Sequence, residues 1–265
     1  MKVLPWELRK LVAQQRVRLL FLVCVVGPPL LAVVLRAQGG LPKDTLFGRH
    51  VHDSGFALPL LVLGFAGTWA FPLLTSLVAG DIFASEDSQG TWQAILTRSR
   101  SRGEVFTGKV VAAALAALAF LAVTALSSLL AGLIATGHQP LIGLSGTQLS
   151  PSRAVTVVLL SWVAAAPPLL AFTGLACLFS VISRSPVVGV GAPVVLGLLM
   201  QLLSLLGGLG QSVNALPTTA FSAWRGLVRD DSYVGPLWQG VLVSAVWAVA
   251  SIAVARVVLL RRDIT

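Results

Sequence analysis

Residues 110–136 read VVAAALAALAFLAVTALSSLLAGLIAT, 27 positions without one Asp, Glu, Lys or Arg. As an α-helix this run is about 40 Å long, more than the ~30 Å hydrocarbon core of a bilayer. The same reading repeats in both directions, because 19–35, 57–79, 154–183, 187–207 and 238–255 are equally free of charge. The chain of 265 residues is 56% hydrophobic and 11% charged, with a mean hydropathy of +0.88. Soluble domains carry roughly a quarter of their residues as charges. The expected fold class is therefore an all-α integral membrane protein with six transmembrane helices, and a soluble enzyme is excluded.

The net charge of +9 would suggest nucleic acid in a soluble protein. Its distribution gives a different answer. With the N-terminus inside, six spans leave 1–18, 80–109, 184–186 and 256–265 on the inner side, and these hold 13 of the 19 basic residues. The positive-inside rule then places both termini in the cytoplasm, and no nucleic-acid partner is expected. Arginine far outnumbers lysine, which suggests a GC-rich bacterial genome and hence a bacterial cytoplasmic membrane.

Residues 1–18 form a basic lead-in segment, with 19–265 as one six-span domain. Within it Leu4, Leu8 and Leu11 fall at helical spacing, while Arg9, Lys10, Arg16 and Arg18 lie mostly off that stripe. Such a helix is expected along the inner leaflet with its bases on anionic headgroups. The basic start followed by an apolar run resembles a signal peptide, but five further spans follow, so an uncleaved first span is the better reading. The alanine-rich third span is expected inside the bundle. The fourth, 30 residues long, carries Pro167-Pro168 and should kink or tilt. Residues 184–186 leave room only for a tight hairpin between spans four and five. The outer segment 208–237 contains Pro217, Phe221 and Trp224 in an apolar helical pattern, which predicts short helices dipping into the outer leaflet. Cys24 and Cys177 lie within spans and read as packing residues.

Three apparent motifs fail on their chemistry. Gly103-Glu104-Val105-Phe106-Thr107-Gly108-Lys109 has the spacing of a nucleotide-binding loop, but Val110 stands where Ser or Thr should bind magnesium, and no strand precedes it. Gly143-Leu144-Ser145-Gly146 lacks a following histidine base and reads as a turn. His50 and His52 at i, i+2 cannot share a helix face, and no third strong ligand is fixed, so a solvated loop is expected rather than a metal site. The spans themselves contain no ionisable residue of the kind that drives ion-coupled transport. A transporter of this composition must be driven from outside the membrane.

The loop 80–109 supplies the expected contact for such a driver. Gly90 ends one helix, Thr91 can cap the next, and Trp92, Ile95 and Leu96 at i, i+3, i+4 make one apolar face. Arg98, Arg100 and Arg102 follow, and Lys109 closes the loop at the membrane surface. By periodicity alone this helix either docks on a partner or lies on the inner leaflet. The register Glu86, Gly90, Thr91, Leu96, Ser101, Arg102, Gly108, Lys109 resembles the loop after the second span of ABC type-2 transporter permeases. The N-terminal Glu7-Leu8-Arg9-Lys10-Leu11 is also similar to that family's lead-in helix. Ser99 stands where proline is usual, and Ser88-Gln89 where acidic residues are common.

The resemblance implies the membrane subunit of an exporter, not an enzyme in its own right. ATP and magnesium would be bound by separate ATP-binding-cassette ATPase subunits, and this chain would hold no cofactor or metal. A second permease chain, in a homodimer or heterodimer, would complete the pathway. Glu86, Gly90, Thr91, Trp92, Ile95, Leu96 and Arg102 would form the ATPase-coupling interface, Glu7, Arg9 and Lys10 the lead-in helix, and Pro217, Phe221 and Trp224 the outer gate. Scattered Thr124, Thr173 and Gln201 in otherwise apolar spans favour an amphipathic cargo such as a lipid, drug or hydrophobic peptide. The alternative classes are a membrane-embedded enzyme, for which convergent polar groups are scarce, and a non-transporting scaffold, which would not need the whole register.

Overall fold

A computed structural model describes residues 3–38, 47–92, 101–205, 210–229 and 233–262. Helix α1 (Leu4–Ala13) ends where Gln14 turns extended, at φ −73° and ψ 126°, and α2 (Gln15–Ala37) starts at once. The lead-in helix is thus ten residues long and stops short of residue 18. Pro29 inside α2 cannot donate to the Val25 carbonyl. Ser127 replaces that bond from the third span, its hydroxyl donating to Val25 O at 2.6 Å.

The second span is broken into pieces: α3 (Ala57–Phe65), a π-turn (Ala66–Ala70) and α4 (Phe71–Ala79). Pro72 withholds an amide proton from the turn before it, and the wider π-turn accommodates the gap. After Gly80 the chain turns and enters α5 (Ala84–Ser88), whose first amides are satisfied from another span. The N–H groups of Phe83 and Ala84 both donate to Ser180 Oγ, at 3.1 and 3.0 Å. Helix α6 (Arg102–Thr136) opens on Ser101, whose hydroxyl accepts from the Glu104 amide at 3.2 Å, and it runs unbroken for 35 residues.

The turn 143–146 joins a two-residue hairpin, β1 (Leu141–Ile142) and β2 (Gln148–Leu149), paired Leu141 to Leu149. This short ladder is an addition to the expected all-helical fold, and the Gly/Ser reading of its turn agrees with Gly146 at φ 83°. The fourth span breaks at Ala165 into α7 (Pro151–Ala164) and α8 (Ala166–Ser183), directly before Pro167-Pro168. Arg184, at φ 54°, ends α8, and α9 (Pro186–Leu205) follows as the other arm of the tight hairpin. Two short 3₁₀ turns (Gly210–Ala215 and Ala223–Val228) flank α10 (Pro217–Ala220), and α11 (Gly235–Arg261) completes the bundle.

Among the described residues, six helical segments are long and apolar enough to cross a membrane. Helix α8 is the hub, packed by α11, α9, α4 and α6. Glycines set one of the tightest crossings. A Cβ on Gly80 would stand 2.3 Å from the Gly189 carbonyl oxygen, and one on Gly189 would stand 2.2 Å from that of Gly80. Burial is uneven, at 61% of the apolar window in the second span but 17% in the sixth. Many Leu and Val side chains of α2, α9 and α11 are therefore exposed on the outside of the bundle.

Candidate functional site

Glu7 follows Leu4 by three positions and precedes Leu8 by one, so it shares the leucine face of α1. That face packs on protein: Leu11 and Glu7 are buried, and Val3 lies against Gly108 of α6. A carboxylate on a packed face needs a partner, and α6 provides Lys109, fully buried rather than at a membrane surface as expected from sequence. Lys109 Nζ lies 3.0 Å from Glu7 and 2.9 Å from Glu86 Oε1. Glu86, on α5, is itself buried, and it also pairs with Lys10 of α1. Two carboxylates and two ammonium groups thus meet, with formal charges that cancel.

A wider ring of ion pairs surrounds this centre. Arg16 at the start of α2 pairs with Asp81, and Arg262 just beyond α11 reaches Asp87 through two hydrogen bonds, one of 2.9 Å. Arg102 donates to the Arg262 carbonyl. The N-terminal helix, the end of the second span, the start of α6 and the end of α11 are therefore fastened together at one end of the bundle. The leucine stripe and two of the bases assigned to the bilayer surface, Lys10 and Arg16, are engaged within the protein instead.

The site residues expected from sequence divide by location. Glu86, Glu7 and Lys10 converge at the junction, with Arg9 on the opposite, exposed face of α1. Gly90 adopts φ 63°, a left-handed conformation that favours glycine. The Thr91 hydroxyl donates to the Glu86 carboxylate, and its amide donates to the Glu86 carbonyl at 3.1 Å; the amides it would cap, at 93 and 94, lie outside the described residues. Trp92 is buried in the apolar core. Ile95 and Leu96 lie outside the described residues. Asp81, Asp87, Arg262 and Lys109 were not among the expected site residues, although Glu7 within a leucine stripe signals a buried cation somewhere else in the chain.

At the opposite end, Pro217, Phe221 and Trp224 are all buried. The Phe221 ring lies 6.3 Å from that of Phe71 and 6.0 Å from that of Phe172, while Phe71 makes an edge contact with Trp162 at 6.1 Å. Gly67 of the π-turn allows this approach, since a Cβ there would stand 3.2 Å from the Phe221 ring. Trp224 pairs with Phe47 at 6.0 Å. The short helices thus plug the bundle with aromatic side chains drawn from four segments.

Residues 3–200 match the family model described as ABC-2 family transporter protein. No curated protein matches the chain. The matched region contains Glu7, Lys10, Glu86 and Lys109 and ends before Pro217, Phe221 and Trp224.

Proposed function

This chain belongs to the ABC-2 transporter family, and from that premise we propose that it is the permease half of an ATP-driven exporter of amphipathic or hydrophobic substrates. A multi-pass permease component of an ABC transporter is what the family and the six apolar helices give directly. Such a chain is a membrane subunit and not itself the ATPase, and the family generally works with an ATP-binding-cassette subunit.

The finer reading is as follows. Both termini and the 80–109 loop face the cytoplasm of a bacterium, following the basic-residue asymmetry. The ATPase docks on the stretch between Gly90 and Arg102, with Ile95 and Leu96 as its apolar contacts and Trp92 as the anchor that roots the loop in the bundle. ATP and magnesium stay on the ATPase. A second permease chain covers the exposed apolar helices, and lipid covers the remainder. The aromatic plug acts as the outer gate.

The observation that carries this reading is the ion-pair junction. Glu86 and Lys109 stand at the two ends of the loop and bond each other, so a push on the loop is delivered to α5 and α6 together. Through Glu7, Lys10 and Arg262 the same push reaches α1 and α11. The expected result of reconstituting the chain with its ATP-binding-cassette subunit is ATP-dependent movement of a labelled lipid or drug across proteoliposomes. An ATPase that neither co-purifies with the chain nor changes its turnover in the chain's presence would overturn the assignment.

A further inference from the structure

The last span is fastened at both ends, and at its inner end the partners flank the loop 88–101. Arg262, directly after α11, sets its guanidinium fork against Asp87 of α5, Nη1 donating to Oδ2 at 2.9 Å and Nη2 to Oδ1. Its own carbonyl accepts from Arg102, the first residue of α6. Asp87 precedes the loop and Arg102 follows it, so one residue holds both sides. The pair is largely removed from water, with 10% of the Arg262 side chain and 7% of the Asp87 side chain exposed. A buried ion pair is weak evidence for stability; what a two-pronged one adds is a fixed direction. At the outer end Gly240, Ser244 and Trp247 recur at i, i+4 and i+7 on one face of α11. A Cβ on Gly240 would stand 3.3 Å from Ala220 Cβ and 3.4 Å from Ala223 Cβ. Ser244 is wholly buried, and Trp247 Nε1 donates to the Ala215 carbonyl at 2.9 Å. These contacts seat the segment that carries the aromatic plug on α11.

We propose that Arg262 is a positioning residue that ties the loop 88–101 to the aromatic plug, with α11 as the rod between them. From 241 to 261 this helix contains neither glycine nor proline, the usual sources of a kink. About 22 Å of stiff helix therefore separates Trp247 from Arg262. Two distant sites are coupled when both bias one element with two arrangements. Here that element is α11, clamped at Arg262 with the plug seated, or released with the plug loosened. A loop that shifts against Asp87 and Arg102 moves Arg262, and the stiff helix carries the shift to Ala215.

The proposal rests on the exporter reading only for the source of the push, so its first test uses the full chain alone in lipid nanodiscs. Thr218, buried in the plug segment, is replaced by cysteine as a reporter, the native Cys24 and Cys177 being buried. Releasing the inner clamp with Arg262→Gln should speed maleimide labelling of that cysteine roughly tenfold or more, the scale of one charged hydrogen bond. Arg262→Lys, which keeps the charge but not the fork, should give a smaller increase and guards against a variant that fails to fold. Trp247→Phe, which keeps a ring but not the donor, should speed labelling as well. Combining Arg262→Gln with Trp247→Phe should be no faster than the faster single variant, since both cut one path. Gly80→Ala is the control for general loosening, because it strains a crossing that α11 does not share. Labelling indifferent to Arg262, rates that multiply in the double variant, or an equal increase in Gly80→Ala would overturn the proposal. With the ATPase present, Arg262→Gln should hydrolyse ATP at the wild-type rate while exporting roughly tenfold less. Hydrolysis and export falling in step would give Arg262 a docking role instead and overturn the proposal. A wild-type chain that engages no ATPase would remove the exporter reading, and the labelling rates would still decide the link along α11.

Discussion

Lys109 Nζ lies 2.9 Å from Glu86 Oε1, and both residues are almost wholly removed from solvent. Twenty-three positions apart in sequence, they close the loop between them into a ring with a rigid base. The family-like register thus has a physical content at its ends. Its Glu and its Gly-Lys are an ion pair, and Gly108 leaves room for Val3 of α1, which a Cβ would meet at 2.8 Å.

Removing Lys109 leaves Glu7 and Glu86 buried with only Lys10 for compensation. Breaking a buried pair from one side costs about 3–5 kcal/mol. Lys109→Met should therefore lower the thermal midpoint of the detergent-solubilised chain sharply. Glu86→Gln added to it should recover part of the loss, since the stranded charge is gone. Equal midpoints for wild type and Lys109→Met would show that the cluster does not hold the fold.

Trp92 and its neighbours should separate into two phenotypes. Trp92 is buried, so Trp92→Ala should cost about 3–5 kcal/mol of stability. Ile95→Ala with Leu96→Ala should leave stability unchanged but reduce ATPase co-purification about 30-fold, the effect of losing ~2 kcal/mol of anchor contact. Undiminished co-purification in the double variant would remove the loop from the coupling role.

The Gly80–Gly189 crossing offers a test of the fold alone. Gly80→Ala places a methyl group 2.3 Å from a backbone oxygen, which no rotamer change can relieve. A loss of about 1–3 kcal/mol is expected from such overpacking, read as a lower thermal midpoint. A wild-type melting curve for Gly80→Ala would mean that α4 and α9 do not cross there.

Phe221 joins Phe71 and Phe172 across the plug. Phe221→Ala should raise the leak of a small dye through liposomes containing the chain, without ATP. Gly67→Ala, crowding the same ring, should move the leak in the same direction but less. Liposomes equally tight with Phe221→Ala would argue against a gate at this position.

The cytoplasmic placement of both termini predicts a labelling pattern. Engineered cysteines near His52 and Ser145 should react with an impermeant maleimide in intact cells, and ones near Ser99 and Thr265 should not. The native Cys24 and Cys177 are both buried, so background labelling should be low. Reaction near Ser99 from outside would reverse the topology.

Much of the fold was legible because lipid imposes a one-dimensional code. A helix that must satisfy its own backbone in hydrocarbon shows itself as an uncharged run, and 19–35, 57–79, 110–136, 154–183, 187–207 and 238–255 each fall on a long helix or helix pair. Pro167-Pro168 marked the break at Ala165 for an equally local reason, a missing amide proton. The π-turn before Pro72 and the hairpin at Leu141–Leu149 leave no such mark, since neither is long enough to carry a periodicity.

Charge is where sequence alone misassigned the environment. Lys10, Arg16 and Lys109 looked like membrane-surface bases because a basic residue beside a span has that role by default. Whether it meets a lipid phosphate or a carboxylate depends on which distant segment folds against it. Glu7, Asp81, Glu86 and Asp87 arrive from two separate stretches to make that choice. The same holds for Trp92, whose amphipathic spacing fixed a face but not what covers it. Sequence determined the spans, their breaks and the residues that bracket the loop, since these follow from local backbone chemistry and solvent. Only tertiary structure decided which charges pair, because electrostatic partners are chosen by distance in space and not along the chain.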